Sequence, residues 1–168
     1  YFAGAAQNTK NAIVVAIGTG LGLGIIVDGN VLKGKSGAAG EAHYPINRGH
    51  KRLCGCGSYD CFEIYASGKA LALDAQESFN NKQMTSHDLI RLKQEGNPLA
   101  QQVFEMWCDD IVAGLRSLAT LFDPEVIVLF GSLVAFIDEQ EMEAKANDNL
   151  VVPPFKLKKA FFGNDAAL

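Results

Sequence analysis

An α/β fold follows from three features of this 168-residue chain. Two short apolar runs rich in β-branched residues, AIVVAI at 12–17 and EVIVLF at 125–130, read as buried strands. Between them, Leu99, Val103, Trp107, Ile111, Leu115, Leu118 and Phe122 recur every three or four residues, the period of an amphipathic helix. The order along the chain is strands, loop, helices, strand, helix, strand, which is the alternation of an α/β domain.

The first strand, 12–17, is followed by Gly18-Thr19-Gly20-Leu21-Gly22-Leu23-Gly24, read as a glycine-rich loop. Ile25-Ile26-Val27 is a second strand. Asp28-Gly29-Asn30 signals a turn, and Val31-Leu32 begins a third strand. Residues 34–60 carry six glycines and no clear periodicity; a loop this long needs a function or a staple. Residues 61–79 read as helical, with a break at Ser67-Gly68. Ser86 is placed as the cap of a further helix, with Asp88 in its first turn and Gly96 at its end. Asn97-Pro98 is a strong helix start, and Asp123-Pro124 stops that helix after Phe122. Gly131-Ser132 leads into a helix near 133–146. Residues 155–162 are expected to form the last strand, and 163–168 the start of another helix.

Composition narrows the function. Hydrophobic residues make up 48% of the chain, enough for a real core, and the net charge is -4 without a basic stripe, so this part of the chain is not expected to bind nucleic acid. No apolar run spans a bilayer and no signal peptide is visible, so the expected location is the cytoplasm. The chain opens at Tyr1 in Ala/Gly-rich sequence, which reads as a fragment or processed piece.

The glycines at 18–24 let backbone approach a ligand, and successive N–H groups in such a turn form an anion-binding concavity. A P-loop or dinucleotide fingerprint needs a helix after the glycines, whereas here another strand follows. A phosphate loop between hairpin strands fits, as in actin-like ATPases; a tightly packed hairpin without ligand is the alternative.

Three of the four cysteines, Cys54, Cys56 and Cys61, fall within eight residues. With His43 or His50 they make a Cys3His set for tetrahedral zinc, which would staple the irregular loop. The alternative is three reduced thiols. Cys108 stands alone on the long helix and reads as packing. Glu41 and Glu63 flank the cluster. Held together by zinc, the two carboxylates could accept hydrogen bonds from the vicinal hydroxyls of a sugar; alternatively Glu63 is a solvated first-turn residue.

Several segments together resemble the ROK family (repressors, open reading frames, kinases). GTGLGLGIIVDGNVLKGKSGAAGE (18–41) is similar to its second phosphate segment and sugar-binding Gly-Glu. CGCGSYDCFEIYASGKAL (54–71) resembles its zinc motif, substrate-binding Glu and following helix. FDPEVIVLFGS (122–132) resembles the strand and turn approaching adenosine, and FFGNDAAL (161–168) the segment before its last helix. The resemblance implies an actin-like ATPase (ribonuclease H-like) fold, with 1–168 as the C-terminal lobe, a zinc loop at 41–63 and the N-terminal lobe absent. It implies transfer of the γ-phosphoryl of ATP, with Mg, to a hexose or N-acetylhexosamine hydroxyl. Gly18, Thr19 and Gly20 then face the phosphates, and Gly131 the nucleotide. Glu41, His43 and Glu63 bind sugar, while His43, Cys54, Cys56 and Cys61 hold a structural zinc. The general-base aspartate belongs upstream of Tyr1, so the piece alone is expected to be inactive, and its parent to be a homodimer.

Two positions depart from the family pattern. The family histidine falls three residues after the first Glu, where this chain has Tyr44; His43 is one residue early and is preferred over His50. The nucleotide turn reads Phe130-Gly131-Ser132, with less glycine than is common. A sugar-sensing repressor of the same family would share the sugar and zinc sites, and a zinc-stapled domain without ligand is a third reading; the intact glycine turn and EIYASG favour the kinase.

Overall fold

The computed structural model describes residues 5–46, 49 and 52–160. Along the chain run β1 (Ala12–Ile17), β2 (Leu21–Val27), β3 (Asn30–Val31), α1 (Glu63–Ala66), α2 (Gly68–Ser78), α3 (Ser86–Gln94) and α4 (Pro98–Phe122). After them come β4 (Val126–Phe130), a 3-10 turn (Ser132–Phe136), α5 (Glu139–Asn147) and β5 (Lys156–Ala160). The strands form one mixed sheet in the order β3-β2-β1-β4-β5. β1 pairs antiparallel with β2, and parallel with β4, which is itself parallel to β5. The carboxyl ends of β1, β4 and β5 therefore open on one edge, where α/β sheets place ligands.

The pleat sorts the strand residues. Ile13, Val15 and Ile17 of β1 and Ile127 and Leu129 of β4 pack with the helices in the main core. Ala12, Val126 and Val128 face the other way, into a small cluster with Ala6 and Ile26. Helix α4 supplies Val103, Trp107, Ile111, Leu115 and Leu118, all essentially buried, as the periodicity requires. The two ends are the exceptions: Leu99, in the first turn, is 39% exposed, and Phe122, at the last position, is half-buried. Asn97 caps α4 through a hydrogen bond from Ala100 N–H (3.0 Å), with Pro98 at the first helical position. Asp123 ends it in the left-handed region.

Four local expectations are corrected. The glycine-rich loop is shorter: β2 begins at Leu21, and Gly22 and Gly24 pair with Ala16 and Val14 inside the ladder. Leu21, Leu23 and Ile25 alternate with these glycines, so the segment carries the period of a strand. The third strand is Asn30–Val31, behind a turn with Asp28 at φ 50° and Gly29 at φ 76°, both positive as a type I′ hairpin demands. The cap of α3 is Thr85, whose hydroxyl accepts from Asp88 N–H while Asp88 reaches back to Thr85 N–H; Ser86 is the first helical residue. Instead of one helix near 133–146, a 3-10 turn ends at Phe136, Ile137 is extended, and Asp138 caps α5 separately. The last strand covers Lys156–Ala160 among the described residues; the remainder of the expected strand, 161–162, and the expected helix start at 163–168 lie outside them.

Candidate active site and metal centre

The site is built where β1 ends. Gly18 N–H donates to Gly20 O (3.0 Å), closing a three-residue turn before β2. Two other glycines press on that turn. Gly68, the first residue of α2, donates its N–H to Gly18 O (2.8 Å), and a Cβ at Gly68 would lie 2.8 Å from the same oxygen. Gly131, at the carboxyl end of β4, has φ 137°, and a Cβ there would sit 2.0 Å from Ile17 O. Glycine at 68 and 131 thus allows the start of α2 and the β4 turn to close on the Gly18–Gly20 turn. Reading the sequence alone, Ser67-Gly68 is only a helix break; Ser67 in fact caps α2 from a buried position and accepts Trp107 Nε1–H on its carbonyl (3.2 Å).

The cysteine loop is less irregular than its glycines suggest. Leu53 bridges Tyr59, and Cys54 N–H donates to Ser58 O (2.8 Å), so residues 53–59 form a small hairpin. Its base is clamped by a second antiparallel contact. Ile46 N–H donates to Asp60 O (3.0 Å), Phe62 N–H to Tyr44 O (2.8 Å) and Glu63 N–H to Ala42 O (3.3 Å). This pairing carries His43 to Cys61, whose thiol donates to His43 O (3.3 Å). Phe62 anchors the strip against α4: a Cβ at Gly114 would lie 2.1 Å from its ring.

The donor atoms of His43, Cys54, Cys56 and Cys61 all lie within 4.8 Å of one another. Cys54 Sγ is 3.5 Å from His43 Nδ1, and Cys56 Sγ is 3.5 Å from Cys61 Sγ. A tetrahedron with spokes of about 2.3 Å has edges of ~3.8 Å, so the donor set fits a closed Cys3His zinc centre. Burial pushes the Cys61 thiol up to about 12, with Cys56 and Cys54 adding to the rise. The Ser58 backbone N–H, followed by the Cys61 thiol, draws Cys56 down to about 7. A cation bound here would displace the thiol protons. His43 is the histidine of this cluster; His50 lies outside the described residues. Tyr44, one residue on, points into the core. Its hydroxyl donates to Gly114 O (3.0 Å), its ring tilts against Phe62 at 5.4 Å, and burial raises its phenol far above the usual range. Cys108 sits apart on α4, and burial pushes it up to about 12.

The two carboxylates converge on the histidine. Glu41 is set beside β2 by a bridge to Gly22, and Gly40 before it has φ 96°, with a Cβ position only 2.5 Å from Leu23 O. Glu41 Oε2 is 3.8 Å from His43 Nε2, and Glu63 Oε2 is 3.8 Å from His43 Nδ1. Glu63 Oε1 lies over the glycine turn, 2.6 Å from where a Gly20 Cβ would be. Glu63 is therefore turned inward although it starts a helix, and its side chain is 30% exposed against 69% for Glu41. A cleft of about 740 Å³ joins Thr19, His43, Cys54, Cys56, Glu63 and Lys69. A more open groove of about 970 Å³ runs along α4 past Arg116 and Leu121, and among the described residues it holds no comparable cluster of donor atoms.

A mixed sheet carrying glycine turns at the ends of two parallel strands, with helices packed on one face, is a lobe of the actin-like ATPase fold. The sequence profile of the ROK family matches residues 1–168, and the chain belongs to the ROK family. A glucokinase from Pyrobaculum calidifontis is 29% identical over 162 residues, 94% of this chain and 55% of that protein. The xylose repressor of Bacillus subtilis is 32% identical over 131 residues, 78% of this chain and 34% of the repressor. Among solved structures, the ROK hexokinase from Thermus thermophilus superposes with a TM-score of 0.87 at 32% identity, over 99% of this chain and 57% of that one. The chain thus spans about half, or less, of the length of these relatives.

Proposed function

We propose that this chain is the C-terminal lobe of an ATP-dependent sugar kinase, transferring the γ-phosphoryl of ATP, with Mg, to a hydroxyl of a hexose or N-acetylhexosamine. One observation carries the reading: the Glu63 carboxylate lies between the Gly18–Gly20 turn and the His43–Glu41 pair. A phosphate on the turn's N–H groups and a sugar hydroxyl on the carboxylates would meet there. Phosphoryl transfer depends on such positioning and on electrostatic stabilisation. Gly18, Thr19 and Gly20 serve the phosphates, and Gly131 lies near the nucleotide. Glu41, His43 and Glu63 hold sugar hydroxyls. His43, Cys54, Cys56 and Cys61 would hold zinc, which crosslinks the loop and fixes His43. The similarity to a glucokinase and a hexokinase supports the substrate class. We further propose a cytoplasmic homodimer; no helix among the described residues is long and apolar enough to cross a membrane.

In the intact protein, Glu63→Gln tests the reading by calorimetric titration of hexoses and of ATP. Loss of charge-assisted bonds should weaken sugar binding by about 1.5–3 kcal/mol and leave ATP binding nearly unchanged. Equal sugar affinity in the variant and its parent would overturn it.

The match to a xylose repressor favours a second reading, a sugar-sensing domain of a transcriptional repressor. Labelled ATP, Mg and a hexose panel separate the two. Sugar phosphate formation supports the kinase; sugar binding without ATP binding or product supports the repressor.

A further inference from the structure

Arg52 precedes Cys54 by two residues, at the root of the cysteine hairpin, and the donor cluster does not use it. Its guanidinium reaches Asp74 on α2 as a fork: Nη1 donates to Oδ2 (3.4 Å) and Nη2 to Oδ1. Nη1 also donates to Ile64 O (3.4 Å), and the group lies 4.9 Å over the Tyr65 ring. The Tyr65 hydroxyl donates to Asp60 Oδ1 (2.5 Å), which also accepts the Arg52 N–H (2.9 Å). The Arg52 and Asp74 side chains are 28% and 14% exposed, so the pair is shielded from most solvent screening.

These contacts cross a joint. The hairpin carries Cys54 and Cys56 on one side; the clamped base and α1 carry His43, Cys61 and Glu63 on the other. The hairpin joins the Cys61 side through Asp60, which is in the left-handed region at φ 60°, and its other end leaves through Arg52, whose carbonyl accepts Asp60 N–H (2.8 Å). A hairpin attached at two points can swing as a unit, separating the two halves of the donor set. The fork to Asp74 stops that swing from one end and the Tyr65–Asp60 bond from the other. A site whose halves are held in register loses less freedom when it binds, and that advantage falls mainly on retention.

We infer that the Arg52–Asp74 pair is a latch that holds the cysteine hairpin in register with His43 and Cys61 and thereby sets how long the site retains zinc. This rests on the zinc reading above. Arg52 and Asp74 act as positioning residues, through the ligands.

The test times zinc transfer from the intact, zinc-loaded protein to excess colorimetric chelator. Arg52→Ala and Asp74→Ala should each release zinc about tenfold faster. The double variant should release it no faster than either single variant, because both remove one interaction. Arg52→Lys should fall between, keeping the charge and losing the fork, and it carries the test if Arg52→Ala fails to fold. Leu157→Ala, a core truncation on β5 at the far edge of the sheet, should lower the melting temperature without speeding release. Wild-type release rates in the Arg52 and Asp74 variants would overturn the latch. So would an equal acceleration in Leu157→Ala, which would mean general destabilisation. Protein that purifies without zinc and takes none up defeats the zinc reading itself, before any variant is made.

Discussion

Glu63 Oε1 and Gly20 are in contact across the cleft: a methyl group at Gly20 would lie 2.6 Å from that oxygen. The Glu63 carboxylate thus occupies the space that a side chain at position 20 would need. Gly20 has no positive φ, so alanine suits its backbone, and what it meets is the free end of a flexible side chain. Gly20→Ala should therefore keep stability within about 0.5 kcal/mol while turning Glu63 away. Hexose affinity, measured without nucleotide in the intact protein, should fall about tenfold. Unchanged affinity would mean that Glu63 does not need this position.

Gly131→Ala should behave oppositely. Its φ of 137° disfavours any side chain, and the added carbon would lie 2.0 Å from the main-chain oxygen of Ile17, which cannot rotate aside. Strain and displacement at the carboxyl end of β1 should cost about 2 kcal/mol or more. The denaturant midpoint should drop without a change in slope. A loss under about 0.5 kcal/mol would show that the β4 turn is not pressed on β1.

The parts legible in the sequence were those set by local periodicity and end signals. Helix α4 spans Pro98–Phe122 as read, because Asn97-Pro98 and Asp123 mark its ends and Trp107 and its neighbours mark its face. The cysteine cluster was legible because soft donors at close spacing have few other uses. The β2 start was missed because four glycines mask the alternation of Leu21, Leu23 and Ile25, a strand pattern held by its neighbours rather than by propensity. The break between Ile137 and Asp138 needed the Asp138 cap to be weighed over helical composition. Gly68 and Arg52 were missed for a different reason. Each matters through a partner distant in sequence, Gly18 for one and Asp74 for the other, and nothing local announces such a pairing.

The proposed zinc site predicts an asymmetry among the cysteines. Cys56→Ala removes one donor and should cut bound zinc from about one equivalent to well below half, with a lower melting temperature. Cys108→Ala, on α4 away from the cluster, should leave zinc content unchanged. Chelator should lower the melting temperature of the parent protein and barely affect Cys56→Ala. Metal analysis with thermal scans decides the matter; equal zinc content in the Cys56 variant and its parent would exclude the assigned donor set.

Glu125 supplies a pH-dependent tie between β4 and the start of β1. Its Oε1 accepts the N–H groups of Lys10 (2.7 Å) and Asn11 (2.9 Å). Those two bonds, Asn11 first and then Lys10, hold its carboxyl below its ordinary value of 4.5 in the folded protein. Through that interval the unfolded chain binds the proton more readily, so stability rises with pH. The contribution is fully present above the unfolded value and is lost as pH falls through the folded one. Glu125→Gln keeps an acceptor oxygen but removes the charge, so this part of the pH dependence should vanish. Melting temperatures of both proteins should be followed from neutral pH down to about 3, across the carboxylate range. The parent should be the more stable at neutral pH, with the gap closing as the solution is acidified past the unfolded value. Asp88, also held low by its bonds with Thr85, titrates in both proteins and cancels in the difference. Parallel curves with a constant offset over the whole range would mean that the Glu125 charge contributes nothing beyond the shape of its hydrogen bonds.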